Sequence, residues 1–170
     1  MKKPRIAVVF GSESDWLVME RCVEQLHAFG EQPHVEVMSA HRNPQRVEAF
    51  ASTAEKNGIE VIVAAAGMSN ALAGAIAAHT CAVVIGVPLA SGSLQGMDAL
   101  LSTVQMPPGV PVACVSVGEA GAKNAALLAL QIIARHDEKL AAAYRTFKAD
   151  QARMVEAKNR ALHEKMGNSR

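Results

Sequence analysis

The sequence has few aromatics, few cysteines and no excess of either charge. Six residues in 170 are aromatic, with Trp16 the only tryptophan and Tyr144 the only tyrosine. A flavin or a run of stacked bases therefore has few rings to lie against. The three cysteines, Cys22, Cys81 and Cys114, are far apart and form no CxxC, which argues against a zinc knuckle or a dithiol redox site. They read as small buried hydrophobes in a reducing compartment. Seventeen basic residues oppose sixteen acidic ones, so no overall charge favours nucleic acid or an anionic membrane. HExxH, GxSxG, GxGxxG and the Walker A sequence are all missing, and no histidine pair has metal spacing; no metal is expected. The apolar run after the basic N-terminus, Ile6 to Phe10, is shorter than a signal-peptide core. The chain reads as cytoplasmic.

One absence is local. No Asp, Glu, Lys or Arg occurs from Val61 to Met97. Within that stretch 71–90 has the length of a membrane span, but His79, Thr80, Gly74, Gly86 and Pro88 interrupt it. It reads better as buried strand, loop and helix, with enough apolar surface to suggest a subunit interface.

What is present is an alternation. Short β-branched runs at 5–10, 33–38, 59–65, 82–87 and 112–117 read as strands. Segments 16–29, 45–57, 71–80, 99–104 and 124–135 read as helices; the first has Leu17, Met19, Val23 and Leu26 at roughly helical spacing. Strand and helix alternating five times predict a parallel α/β sheet covered on both faces. Ligands of such sheets sit beyond the carboxyl ends of the strands. The loops at 11–15, 39–44, 66–70, 88–98 and 118–123 are therefore the candidates.

The chain is expected to form one domain, with a catalytic body at 1–135 and a helical extension at 136–170. The extension holds 13 of the 33 charged groups and one apolar seam through Leu140, Tyr144 and Phe147, continued loosely by Met154, Val155 and Leu162. That seam is expected to pack on the body or on a neighbouring subunit.

The first loop, Gly11-Ser12-Glu13-Ser14-Asp15, offers backbone N–H groups and the hydroxyls of Ser12 and Ser14 to an anion, and Asp15 to a ribose hydroxyl. Ser14 or Asp15 can equally be a helix cap. In Ser39-Ala-His41-Arg42-Asn-Pro44, a histidine suited to proton exchange near neutral pH adjoins an arginine suited to a phosphate. Gly67-Met-Ser69-Asn70 and Gly92-Ser-Leu-Gln-Gly96 are uncharged loops that can approach a flat heterocycle through backbone groups, or be ordinary turns.

With these segments in view, GSESDW (11–16), SAHRNP (39–44), GVPL (86–89), GMDALLSTVQMPPGVPVACVSVG (96–118) and AGAKNAALLALQIIA (120–134) resemble the N5-carboxyaminoimidazole ribonucleotide mutases of purine biosynthesis. The resemblance runs from about residue 5 to 140. It implies a flavodoxin-like sheet of order 2-1-3-4-5, a homo-octamer, and isomerisation of a small ribonucleotide without cofactor or metal. It gives His41 the proton transfer, and Arg42 and Ser39 the 5′-phosphate. Ser12 and Asp15 meet the carboxylate region and ribose, and Ser14 lies against the phosphate. Gly67, Ser69 and Asn70, within 67–74, are candidate substrate-binding residues around the carboxylate, where the Ser69-Asn70 pair can donate hydrogen bonds to the carbamate or shape a smaller CO2 pocket.

The third loop departs from that pattern. Where bacterial mutases usually read AGGAAHLPG, this chain has Ala66-Gly-Met-Ser-Asn-Ala71-Leu-Ala73-Gly74. Its Ser-Asn-Ala-Leu piece is similar to aminoimidazole ribonucleotide carboxylases, which use CO2 directly. Arg42, Pro44 and the 96–134 segments favour the mutase. A non-catalytic flavin- or nucleotide-binding module is the reading from another class, and aromatic poverty argues against it.

Overall fold

The structure is a computed structural model and describes residues 3–167. Five strands, β1 (Ile6–Phe10), β2 (His34–Val37), β3 (Val61–Gly67), β4 (Val83–Leu89) and β5 (Ala113–Cys114), form one sheet. All pairings are parallel and the order is β2-β1-β3-β4-β5. This is the flavodoxin-like arrangement expected from the resemblance. The helices are α1 (Trp16–Ala28), α2 (Pro44–Thr53), α3 (Leu72–Ala77), α4 (Met97–Val104), α5 (Glu119–Ile133) and α6 (Glu138–Gly167).

Burial follows from strand position. All five residues of β1 and the first five of β3 are buried, because helices cover both faces of the central strands. On one face Ala7, Val9, Ile62 and Ala64 join Val47 and Ala51 of α2 and Leu72 and Ile76 of α3. On α1, Met19, Cys22, Val23 and Leu26 are buried while Leu17 is exposed, so the apolar stripe is narrower than its sequence spacing suggests. The edge strand β2 alternates between half-buried and exposed positions.

The stretch 71–90 divides into α3 and β4. Among the described residues no helix is long and apolar enough to cross a membrane. Cys22 is buried and its thiol is pushed up to about 12 by desolvation, which leaves it protonated and inert. Cys81 is exposed, so not every cysteine is a core residue.

Several boundaries differ from the sequence pattern, and three of them bear on the sheet and its last helix. β4 runs on through Pro88, whose carbonyl accepts from Gly118 N–H at 2.9 Å. β5 is only two residues long, against an expected run of 112–117. Prolines at 107, 108 and 111 remove ladder donors before it, and beyond it only isolated bonds persist, such as Val115 N–H to the Gly86 carbonyl at 3.2 Å. α5 starts at Glu119, five residues before the expected Asn124. Gly121 is what permits this, since a Cβ there would lie 1.7 Å from the Ser116 carbonyl oxygen. A glycine that reads as a loop signal is here a point of close backbone approach.

By compactness the chain divides into a unit ending at Ile132 and a second from Ile133. The second unit consists mainly of α6. In it Asp137 accepts from the Leu140 N–H at 3.0 Å, and Tyr144 and Phe147 meet with ring centroids 5.9 Å apart. Met154, Val155, Leu162 and Met166 are exposed.

Gly86 is a point of close approach between β4 and α4. A Cβ there would stand 2.3 Å from Thr103 Cγ2, with Val112 and Ala73 also close. Gly86→Ala is expected to destabilise the fold by about 1–3 kcal/mol, the usual cost of overpacking. Urea denaturation should show a lower midpoint at unchanged slope.

Candidate active site

The strand order reverses between β1 and β3, so the chain leaves those two strands in opposite directions and opens a crevice above their carboxyl ends. The loops there enclose a cleft of about 530 Å³. Ser12, Ser14 and Asp15 come from the loop after β1, and Ser39, His41 and Arg42 from the loop after β2. Gly67 and Ser69 come from the end of β3 and the turn beyond it. Two other concavities lie elsewhere. One of about 400 Å³ is walled by α2 and β2, and one of about 540 Å³ lies around Phe10, Trp16 and Leu17. The first also holds an imidazole, a carboxylate, a guanidinium and a hydroxyl, in His34, Glu36, Arg46 and Thr53, but there Glu36 is bonded to both His34 and Arg46, and the pocket lies at the edge strand rather than at the switch in strand order. The second has neither an imidazole nor a guanidinium.

Each loop is held by its own backbone chemistry. After β1, residues Glu13–Asp15 make one 3-10 turn, and the Asp15 carboxylate reaches back to accept from the Ser12 N–H at 3.0 Å. Asp15 therefore closes a turn and lines the cleft at once, so capping and binding are compatible here. The Ser14 hydroxyl lies 3.0 Å from that of Ser12. After β2, Asn43 caps α2 by accepting from the Arg46 N–H at 3.3 Å, and Pro44 takes the first helical position.

Arg42 ties the two loops together. Its Nη2 donates to the Gly11 carbonyl at 3.2 Å, and its backbone N–H donates to Ser39 Oγ at 3.3 Å. The side chain stays exposed, which leaves donors of the guanidinium free to face an anion. His41, beside it, is exposed on the cleft wall.

The third loop is the most constrained. Met68 has φ 53°, a left-handed conformation that is uncommon for a side chain of this size. A Cβ on Gly67 would fall 1.7 Å from Ser91 Oγ, so only glycine lets the Ser91 hydroxyl close that wall. Ser91 lines the cleft, as do Ala66 and Met68. Ser91 falls within the candidate loop 88–98, but the glycine-bearing segment that stands out there is 92–96. The signal for Ser91 was position alone, the first polar residue past the end of a strand. The structure places Asn70 behind the cleft wall rather than on it: 1% exposed, it donates to Thr103 Oγ1 at 2.9 Å and to the Val87 carbonyl at 3.4 Å. Among the described residues, no group of three His, Cys, Asp or Glu is arranged to hold a metal.

Burial pushes the Asp15 carboxyl above its ordinary value, against the pull of the Ser12 and Gly11 N–H groups and the Arg42 charge. The folded state thus holds this proton more tightly than the unfolded state does. Stability is lost as pH rises from the ordinary carboxylate value through the raised one. Asp15→Asn does not titrate and should be the more stable protein at neutral pH. The advantage should vanish in acid, where Asp15 is protonated in both states. Denaturation midpoints of the two proteins at each pH check this.

The sequence profile of the AIR carboxylase family matches residues 5–154. Among curated relatives, a protein of Escherichia coli (strain K12) named N5-carboxyaminoimidazole ribonucleotide mutase is 51% identical over 136 residues, 80% of each chain. One of the same name from Haemophilus influenzae is 47% identical, covering 91% of this chain and 94% of the relative. Another, from Saccharolobus solfataricus, is 49% identical over 86% and 92%. The solved structure of Treponema denticola PurE superposes with a TM-score of 0.82 at 28% identity, covering 91% of this chain and 95% of that one. A profile match over most of the chain, relatives near half identity and a shared fold lead to one conclusion: this chain belongs to the AIR carboxylase family.

Proposed function

We propose that this chain converts N5-carboxyaminoimidazole ribonucleotide to 4-carboxyaminoimidazole ribonucleotide, the mutase step of purine biosynthesis. The carrying observation is the crevice in which Ser12, Asp15, Ser39, His41 and Arg42 meet an uncharged third loop. The name shared by relatives at 44–51% identity favours the mutase over the direct carboxylase.

In this reading the Arg42 guanidinium and the Ser39 and Ser14 hydroxyls hold the 5′-phosphate, while Ser12 and Asp15 address the carboxylate region and ribose. The N–CO2 bond breaks and its electron pair returns to the amine nitrogen. C4, made nucleophilic by that amine, attacks the CO2. His41 takes the C4 proton and returns one to the amine. The ring supplies the nucleophile, so the protein has to hold CO2 beside C4, exclude water and move one proton. Gly67, Met68, Ser69 and Ser91 form the uncharged wall suited to the first two tasks.

The active form in this reading is a homo-oligomer, an octamer by the resemblance, in the cytoplasm. Leu94, Met97, Leu101 and Val104 make an exposed apolar stripe along α4 and the loop before it, and α6 exposes a second set from Met154 to Met166. Both call for partners.

Three outcomes are expected. Purified enzyme should form the C4-carboxylated product from the carbamate with CO2 scrubbed and spontaneous decay subtracted. Faster product from aminoimidazole ribonucleotide plus CO2 would make it a carboxylase. His41→Asn should stay folded and lose about 10²–10⁴-fold in kcat, the usual contribution of a general acid–base. Arg42→Ala should raise KM more than it lowers kcat, because the phosphate is remote from the reacting carbon; steady-state kinetics separate the two.

A further inference from the structure

The Asn70–Thr103 hydrogen bond has a fixed polarity. Thr103 Oγ1 has one hydrogen, and it goes to the Ala99 carbonyl at 2.6 Å, one helical turn back in α4. The hydroxyl can then only accept from Asn70, so Asn70 Nδ2 must be the atom facing it. The second contact of that nitrogen, the Val87 carbonyl, is also an acceptor. Turning the amide over would set its oxygen against two sets of lone pairs. In this arrangement Asn70 Oδ1 is buried with no hydrogen-bond partner among the described residues.

What this bond holds is the turn that walls the cleft. The Asn70 N–H closes on the Met68 carbonyl at 2.9 Å, and Met68 sits in its left-handed conformation. On the other side Gly67 is pressed against Ser91. Met68 and Ser69, both lining the cleft, are bracketed between these two anchors. Thr103 is itself fully buried, with its methyl group seated over Gly86.

We infer that Thr103, a residue of α4 outside the cleft, is a positioning residue for the reaction, acting through Asn70 to hold Met68 and Ser69 against the reacting end of the substrate. This rests on the function proposed above. A displacement of about 1 Å in such a wall can cost about 10²-fold in rate.

Thr103→Val keeps the shape over Gly86 and deletes the hydroxyl, whereas Thr103→Ser keeps the hydroxyl and deletes the methyl. Val should lower kcat by about tenfold or more, with KM near that of the parent because the phosphate loops are untouched. Ser should stay close to the parent in both. Amide hydrogen exchange at 68–70 should speed up in Val and not in Ser. A Val variant with parental kcat, a loss confined to KM, or equal losses in Val and Ser would overturn the inference. Should Val fail to fold, Asn70→Ala removes the same bond from the other side, and parental kcat in that variant would overturn it equally. If the parent proves inactive on the carbamate, the proposed function fails. The exchange comparison still decides, since unchanged exchange at 68–70 in Val would overturn the positioning role by itself.

Discussion

A parallel sheet buried on both faces is the constraint from which the rest follows. Its central strands cannot carry charge, since an unpaired ion in that layer would cost several kcal/mol. β1, β3 and β4 accordingly hold none. Polar chemistry is pushed to the ends of the strands, where loops emerge and backbone donors are free. The reversal of strand order between β1 and β3 then leaves a crevice instead of a packed seam, and the charged and hydroxyl groups collect around it.

The crevice combines rigid and open parts. Asp15 closes a backbone turn, Arg42 links two loops, and the third loop is pinned at Gly67 and Asn70. His41 and the outer face of Arg42 stay exposed. A half-buried carboxylate that costs stability at neutral pH is a reasonable component of such a site, since binding groups are often held where folding alone would not place them. The uncharged third loop has no such penalty, and its cost lies in backbone conformation at Met68 instead.

Much of this was legible in the sequence because two signals are strong there. The unbroken apolar runs at Ile6–Phe10 and Val61–Ala65 can only be strands covered on both sides, and the polar segments that follow them fall at the carboxyl ends by topology. Ser12 and Asp15 follow the first of those runs, and Ser39, His41 and Arg42 follow the alternating strand β2 at the same end of the sheet. What escaped were effects of contact. Asn70 and Ser69 are adjacent and equally polar, but one faces the cleft and the other the core, because a helix 33 residues later supplies an acceptor. Ser91 gained its place from the missing side chain of Gly67, and α5 gained a turn from that of Gly121. No local pattern encodes such fits, since each depends on a partner distant in the chain or on space left empty.

The edge strand β2 has a consequence for the protein in acid. On one face it carries His34 and Glu36, and the Glu36 carboxylate takes hydrogen bonds from His34 Nε2 at 2.9 Å and Arg46 Nε at 2.7 Å. Burial pushes this carboxyl up, but those bonds and the Arg46 charge outweigh it and hold it below its ordinary value. The anchored charges sit along the open backbone of a strand only four residues long, and short, charged edges resist pairing with other chains. Protonation of Glu36 dissolves the ion pair and frees Arg46 from the strand. Arg46 keeps its charge, so in acid the edge that carried an anchored ion pair becomes net cationic, and beside the half-exposed Val35 and Val37 it resists a second copy of itself by repulsion rather than by a fixed pair.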